Sequence, residues 1–336
     1  MKLFIIVGVL WLALASMTEA CAPDSRITEL AQPGLVFPQG LTVAPDGAVW
    51  IASTQADRLV RFDPASGQIR EIQLTLNSNP IGIAVDSQQR IWFAARGRWL
   101  VGRLREGAKR PAEFPPPSLM DSRLGTPGPS SLALDDAGGH VWFTLRPQAV
   151  LGYLPLSAEP RRDTSPVREI PFDSGVTRPE GLAADGHGGV WIAEMLADRL
   201  THLASDGTTR QVPLPPDSRP RGVAVGPGGD IWVTLFGTHE LARIDPHTLR
   251  ATRWPMPSGS RSSPWPIAVD RAGHVWVGEY IGNRIVCFDP KSERFASWDV
   301  PTPGAGIRAL AVDGSGRVWF VGSFSGRLGV IGPRPR

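Results

Sequence analysis

Five charged residues, Glu180, Glu194, Arg221, Glu279 and Arg308, occupy only two kinds of place relative to a tryptophan that recurs along this chain. Glu180, Arg221 and Arg308 lie 11 residues before one of these tryptophans, and Glu194 and Glu279 lie three residues after one. Carboxylates converging on a narrow opening can hold a divalent cation such as Mg²⁺ or Ca²⁺. A guanidinium there can grip an acidic ligand through two parallel hydrogen bonds. Trp265 shares the place of Arg221 and Arg308, which adds an aromatic surface to the same set. The opposing reading is a salt-bridged rim that plugs the opening and binds nothing. No Gly-rich phosphate loop, Cys/His metal spacing or Gly-x-Ser-x-Gly elbow accompanies them.

What must position these residues is a repeat. One copy is Pro80-Ile-Gly-Ile-Ala-Val-Asp86 followed by Ile91-Trp92-Phe93, and the others begin at Pro38, Pro129, Pro179, Pro220, Pro264 and Ile307. The first residue precedes its Trp by 12 residues in six copies and by 13 in one, and an apolar residue always stands nine after the Trp. Successive tryptophans are 42, 50, 49, 41, 44 and 43 residues apart, and a period in the forties points to one closed array. The 33 Pro and 37 Gly of the 336 residues suit many short strands joined by turns.

Each copy parses into four strands. In the second copy the first, Gly82 to Val85, is apolar and contains Gly, as a strand close to an axis does, and the last strand carries Pro171, Pro213 or Pro255 in other copies. A residue without an N–H cannot serve two ladders, so the Pro-bearing strand is an edge. Seven such units predict an all-β, seven-bladed β-propeller of four-stranded antiparallel blades over 21–336, a single domain. The seventh copy stops after its third strand. Residues 26–31, Arg-Ile-Thr-Glu-Leu-Ala, are expected to dock there as an N-terminal outer strand, closing the ring and covering its edge.

In an antiparallel blade the start of the first strand and the end of the second share one end. Fourteen positions are therefore expected around one mouth of the channel. Those after each unit's first residue are Gln39, Ile81, Ser130, Glu180, Arg221, Trp265 and Arg308; those three after each Trp are Ser53, Ala95, Leu145, Glu194, Leu235, Glu279 and Gly322. Copies that agree on packing disagree here, which marks these positions as the site. The tryptophans themselves read as blade-to-blade packing. Of the histidines, only His239 falls on the mouth's face; His140, His187, His274 and His247 fall on the far face and His202 within a strand. Two intervals are long: the excess before Gly128 belongs to the mouth side and Ser157–Ser165 to the opposite side, as binding loops or tolerated insertions.

Residues 1–20 read as a signal peptide, with Lys2, an apolar run from Leu3 to Ala15, and a small-residue cleavage site at Ala20. The run is short for a transmembrane span. The protein is expected to be exported, periplasmic or secreted. Cys21 directly after the segment raises a lipid anchor as the alternative, although Thr18 and Glu19 depart from such signals. Cys287 is the other cysteine; pairing with Cys21 is open, and a free Cys packed in a strand is the favoured reading. The net charge of +3 with scattered basic residues indicates no nucleic acid. A monomer is expected.

The blade unit, best seen in Val190-Trp-Ile-Ala-Glu194 with Asp198-Arg-Leu200 and in Val275-Trp-Val-Gly-Glu279 with Asn283-Arg-Ile285, closely resembles that of the virginiamycin B lyase (streptogramin lyase) family. The resemblance covers nearly all of residues 26–332. It implies a seven-bladed propeller that opens a cyclic depsipeptide by elimination, with a His as general base and carboxylate-held Mg²⁺ stabilising an enolate. It places the base at Arg308, a second substrate-contacting His at Trp265, and the metal carboxylates at Gly306 and Gly322. None of these four side chains does the assigned work. An Arg is no base at neutral pH, and neither Trp nor Gly offers a side-chain oxygen to Mg²⁺.

The reading that follows is a virginiamycin B lyase-like propeller binding a small molecule or peptide ligand at the mouth, through Glu180, Arg221, Trp265, Arg308 and His239, without the lyase reaction. Glu194 and Glu279 are the candidate metal ligands. Alternatives are a metal-dependent lactone or ester hydrolase of gluconolactonase type, by fold-level analogy, and a non-enzymatic protein-interaction scaffold.

Overall fold

The computed structural model describes residue 21 and residues 25–31, 34–120, 128–145, 149–160, 164–172 and 177–332; the targeting segment lies outside these. Seven four-stranded antiparallel sheets are arranged as blades, six of them ordered from inner to outer strand along the chain and the seventh taking its outer strand from the N-terminal side. The inner strands are Pro38–Val43, Pro80–Val85, Leu132–Asp135, Pro179–Ala184, Pro220–Val225, Pro264–Val269 and Ile307–Val312. Consecutive inner strands pack on one another, and the last packs on the first. Pro171, Pro213 and Pro255 each end an outer strand, where no further ladder needs their missing N–H.

The ring closes as the repeat predicts. Arg26–Ala31 pairs antiparallel with Arg327–Gly332, Leu30 facing Leu328 and Ile27 facing Ile331. The Thr302 backbone N–H and hydroxyl both donate to Glu29, at 2.9 and 2.7 Å, tying this strand to the entry of blade 7. A covalent tie adds to it, and here the expectation of a free cysteine is overturned: Cys21 and Cys287 form a disulfide, with Cα atoms 5.7 Å apart across 266 residues of sequence. Cys287 lies in the third strand of blade 6, Arg284–Asp289. The disulfide packs with Trp276, Ile285, Phe320 and Ile331, so it staples the closing segment across the junction of blades 6 and 7.

The recurring tryptophans fill the wedges between blades, and Trp92, Trp232 and Trp276 are almost fully buried. A buried indole N–H needs an acceptor, and in three blades an Asp six residues earlier supplies it. Trp92 donates to Asp86 at 2.8 Å, Trp276 to Asp270 at 3.1 Å and Trp319 to Asp313 at 2.9 Å. The residue four after the Asp completes each set, Arg90 at 2.6 Å, His274 at 3.0 Å and Arg317 at 2.7 Å.

The two long connections join blades 2 and 3 to each other. Arg103, buried in the third strand of blade 2, donates to the Ala158 carbonyl at 2.5 Å and to Glu159. Ala158 and Glu159, in the excess after the third strand of blade 3, therefore cover that cation. The described part of the other excess carries a short helix, Pro117–Met120, whose Ser118 bonds Glu169 on the outer strand of blade 3; residues 121–127 lie outside the described set.

Two consequences are measurable. Burial alone would raise the Asp313 carboxyl, but hydrogen bonds from Ser315, Trp319 and Arg317 outweigh it and hold it below the ordinary 3.8. A depressed folded-state value contributes stability above the unfolded-state value and loses it as pH falls through the folded one. Asp313→Asn should cost about 1–3 kcal/mol at pH 7, with the difference from wild type shrinking below pH 3.8 in melts followed by circular dichroism. Reducing the disulfide should lower the melting temperature as well, its loop-closure contribution being on the order of 5 kcal/mol; Cys287→Ser should match the reduced protein and be insensitive to reductant.

Candidate functional site

The start of every inner strand faces the axis. Gln39, Ile81, Ser130, Glu180, Arg221, Trp265 and Arg308 all line one cavity of about 240 Å³ at the channel mouth. The structure thus brings together the seven positions expected from the first half of the repeat. It does not bring the second half there. Ser53, Ala95, Leu145, Glu194, Leu235 and Glu279 are buried to 0 or 1% exposure. Each stands opposite its unit's first residue or that position's neighbour, as Pro179 faces Glu194 and Pro264 faces Glu279. That puts them one strand further from the axis, with side chains inside the blade.

The two candidate metal ligands are accordingly held by local partners. Glu194 accepts from Arg199 at 2.8 Å and from the Thr201 hydroxyl. Glu279 accepts from the Ser258 hydroxyl, and its Oε1 is buried without a hydrogen-bond partner. Among the described residues no three His, Cys, Asp or Glu side chains form a group able to hold a metal ion. The positions that the family resemblance assigns to metal carboxylates fit a metal no better. Gly306 has a left-handed backbone (φ +67°), and a Cβ there would come within 2.5 Å of the Phe324 ring; one at Gly322 would meet Ser325 Oγ at 2.3 Å. Neither position offers an oxygen or room for one.

What lines the mouth instead is a row of rings threaded with cations. Phe37 meets Phe324 at 5.7 Å, Phe324 meets Tyr280 at 5.9 Å, Tyr280 meets Trp265 at 5.4 Å and Trp265 meets Phe236 at 6.4 Å between centroids. The Arg221 guanidinium lies 3.9 Å from the Trp265 centroid and 4.1 Å from that of Phe236. Arg308 lies 5.0 Å from Trp265, 5.4 Å from Tyr280 and 5.2 Å from Phe37, within reach of cation–π attraction. It donates to Gln39 Oε1 at 2.7 Å and to the Tyr280 hydroxyl at 3.2 Å. Across the cavity Glu180 is buried and accepts from Arg178 Nε at 3.0 Å.

Phe236, Tyr280 and Phe324 follow the second strands, four or five residues after a Trp, and sequence reasoning missed them. The discriminating signal was the one used at the third residue, disagreement among copies. Applied one residue later it finds Phe236 and Tyr280, and two residues later Phe324, the side chains that leave the strand end and reach the mouth. The same face carries nearly all the exposed large apolar residues: Val36, Leu76, Trp99, Leu196, Ile281 and Phe324. All six sit in connections that precede an inner strand or join second to third strands.

His239 is on this face but is absent from the cavity wall. It occupies the left-handed residue at the entry to a third strand, a place taken by Asp57, Trp99, Ala149, Asp198 and Asn283 in other blades. Asp57 and Asp198 there accept from the backbone N–H groups of Asn79 and Arg219, at 2.7 and 2.8 Å. His239 Nδ1 faces the equivalent Ser263 N–H at 3.4 Å. It pins the loop leading into the strand of Trp265 and so positions that ring. The Asp/Asn-Arg pair of the blade unit has this structural task.

Burial pushes the Glu279 carboxyl above its ordinary 4.5, with the Ser258 hydroxyl only partly offsetting it. A raised folded-state value stabilises the fold below the unfolded-state value and loses that contribution as pH rises through the folded one. Glu279→Gln should therefore melt at or above the wild-type temperature at pH 7, with the gain vanishing below pH 4.5. A clear loss of stability at pH 7 would show that the charged form holds something the cavity geometry does not reveal.

The comparisons with known proteins agree with this scaffold. A model of the virginiamycin B lyase family matches residues 121–336. A virginiamycin B lyase of Nocardia farcinica (strain IFM 10152) is 27% identical over 186 residues, 54% of this chain and 57% of the relative, so the match spans little more than half of that relative's length. Among solved structures, a streptogramin B lyase gives a TM-score of 0.80 at 21% identity, covering 92% of this chain and 97% of its own. A catalytically inactive histidine-to-alanine variant of virginiamycin B lyase from Staphylococcus aureus with quinupristin gives 0.80 at 19%, covering 93% and 100%. At such identities the structures speak for the fold alone, whereas the family model spans more than half of the sequence. By that match the chain belongs to the virginiamycin B lyase family.

Proposed function

We propose that this chain is an exported member of its family that binds a small molecule or peptide at the channel mouth and does not carry out the elimination. The observation that carries the reading is Arg308. It stands in the cavity wall where the family resemblance places the general base, hydrogen-bonded to Gln39 and Tyr280. A guanidinium stays protonated at any ordinary pH and cannot accept the substrate proton. Gly306 and Gly322 leave the enolate side of that reaction without a ligand for a cation. The rings and cations about the mouth are suited to binding, and the one carboxylate in the cavity wall, Glu180, is buried and engaged with Arg178.

Export is supported by the disulfide of Cys21 and Cys287, because such bonds persist in oxidising compartments. A Cys21 sulfur engaged in that bond is closed to a thioether lipid, which favours plain export over an anchor. Among the described residues no helix is long and apolar enough to cross a membrane. The interaction-scaffold alternative has one observation in its favour, the exposed Leu76, Ile281 and Phe324 on the mouth face. The metal-dependent hydrolase has no cluster of ligands among the described residues to rest on.

The test uses quinupristin, the compound named with a relative's structure. Calorimetry should detect saturable binding that Trp265→Ala weakens. Mass spectrometry after prolonged incubation with Mg²⁺ should recover the ring intact. Ring opening at a rate above the protein-free control would overturn the reading, and so would binding untouched by changes at the mouth.

A further inference from the structure

We propose that the mouth is an anion site, and that its ligand is a carboxylate carried on an aromatic or apolar body. The inference deepens the binding role proposed above and rests on it. Its centre is Arg308. Among the described residues this guanidinium has neutral hydrogen-bond partners only, Gln39 Oε1 at 2.7 Å and the Tyr280 hydroxyl at 3.2 Å, and its Nε is buried with no partner. Arginines set elsewhere in the blades are matched with carboxylates: Arg90 with Asp86, Arg103 with Glu159, Arg199 with Glu194 and Arg317 with Asp313.

A cation withdrawn from water into a cavity needs compensation. The faces of Trp265, Tyr280 and Phe37, with centroids 5.0 to 5.4 Å from the guanidinium carbon, supply part of it. A carboxylate would supply the rest, because its two oxygens match the planar fork of an arginine. The remaining wall does not oppose an anion. Arg221 adds a second positive charge beside Trp265. Glu180, the one acidic group in the wall, is buried and engaged with Arg178.

The rings decide the rest of the ligand. A cavity of about 240 Å³ is smaller than a typical site for a drug-sized molecule, so a carboxylate end enters it while the body lies on the rim. That rim is Phe324 and Ile281, 59 and 62% exposed. Large apolar side chains left in water beside a cavity mark a surface that something apolar covers. The shared chemistry is an apolar carboxylate, supplied either by a free aromatic acid or by the C-terminal end of an apolar peptide.

The experiment compares four probes by calorimetry on the full chain: 3-phenylpropanoate, its amide, a Phe-Leu-Phe tripeptide with a free C-terminus and the same peptide amidated. The free acids should bind about ten- to a hundredfold tighter than their amides, more weakly as salt rises. Arg308→Gln should erase that difference, Arg308→Lys should keep part of it, and the melting temperature of each variant reports that the fold is intact. Preference for the acid over the peptide, or the reverse, identifies the source. Acid and amide binding equally, acid binding untouched by Arg308→Gln, or no binding by any probe each overturns the anion site. Quinupristin binding in the same preparation then tells whether the mouth still binds ligands without it.

Discussion

The whole structure depends on the burial of one indole per blade. A propeller leaves a wedge between neighbouring sheets, and a Trp in the second strand fills it with more apolar area than any other side chain supplies. Burial makes its N–H a liability unless an acceptor is built in. Asp86, Asp270 and Asp313 are those acceptors in three of the seven blades, and each is also hydrogen-bonded to the side chain four residues on. Blade 3 shows the constraint by breaking it. Its unit is one residue longer, the Asp six before Trp142 is Asp136, and that side chain bonds Ser87 instead. The Trp142 N–H is left buried without a partner, while the ring packs on Tyr153 at 4.8 Å. Packing alone therefore holds the wedge, and the polar set refines it.

Since the wedge fixes the second strand, it also fixes where that strand ends, and both closure and the mouth follow. The outer strand Arg26–Ala31 completes blade 7 only because the other six blades have brought Arg327–Gly332 round to the start of the chain. The disulfide and the Glu29–Thr302 hydrogen bonds then secure the junction where the ends of the chain meet. Opening the ring there would expose two sheet edges and the apolar wedge of blades 7 and 1 together, which is why ties concentrate at the closing segment.

The fold was legible because packing repeats. Seven copies of one spacing carry the blade count, the edge strands and the closing strand, and all three stand as read. The site was legible by half. Copies disagreed both at the residue after each unit's start and at the third residue after each Trp, but only the first set reaches the cavity. Every residue of the second strands but His140 is buried, since both faces of a blade are covered. No alternation of polar and apolar residues there tells an inward side chain from an outward one. Glu194 and Glu279 thus passed for site residues, while Phe236, Tyr280 and Phe324, just beyond the strand end, did not. The pairing of Cys21 with Cys287 was hidden for another reason. Cys21 stands five residues before the closing strand, and nothing in the repeat spacing tells which neighbouring strand it meets.

The residues at the mouth are mutually dependent. Gly306 holds a left-handed backbone that a Glu or Asp would adopt only with strain, and the ring of Phe324 fills the space its side chain would need. Phe324 in turn rests on Phe37 and Tyr280, and both of those rings, with Trp265, flank the Arg308 guanidinium. A carboxylate placed at 306 would have to displace Phe324, which would strip Phe37 and Tyr280 of a neighbour and set a negative charge beside a cation now balanced by rings. Replacing Arg308 by His would remove the charge that those rings face. Each of these residues is thus stabilised by the others, and the mouth has one coherent chemistry, cationic and aromatic, on a scaffold whose wedges are built independently of it.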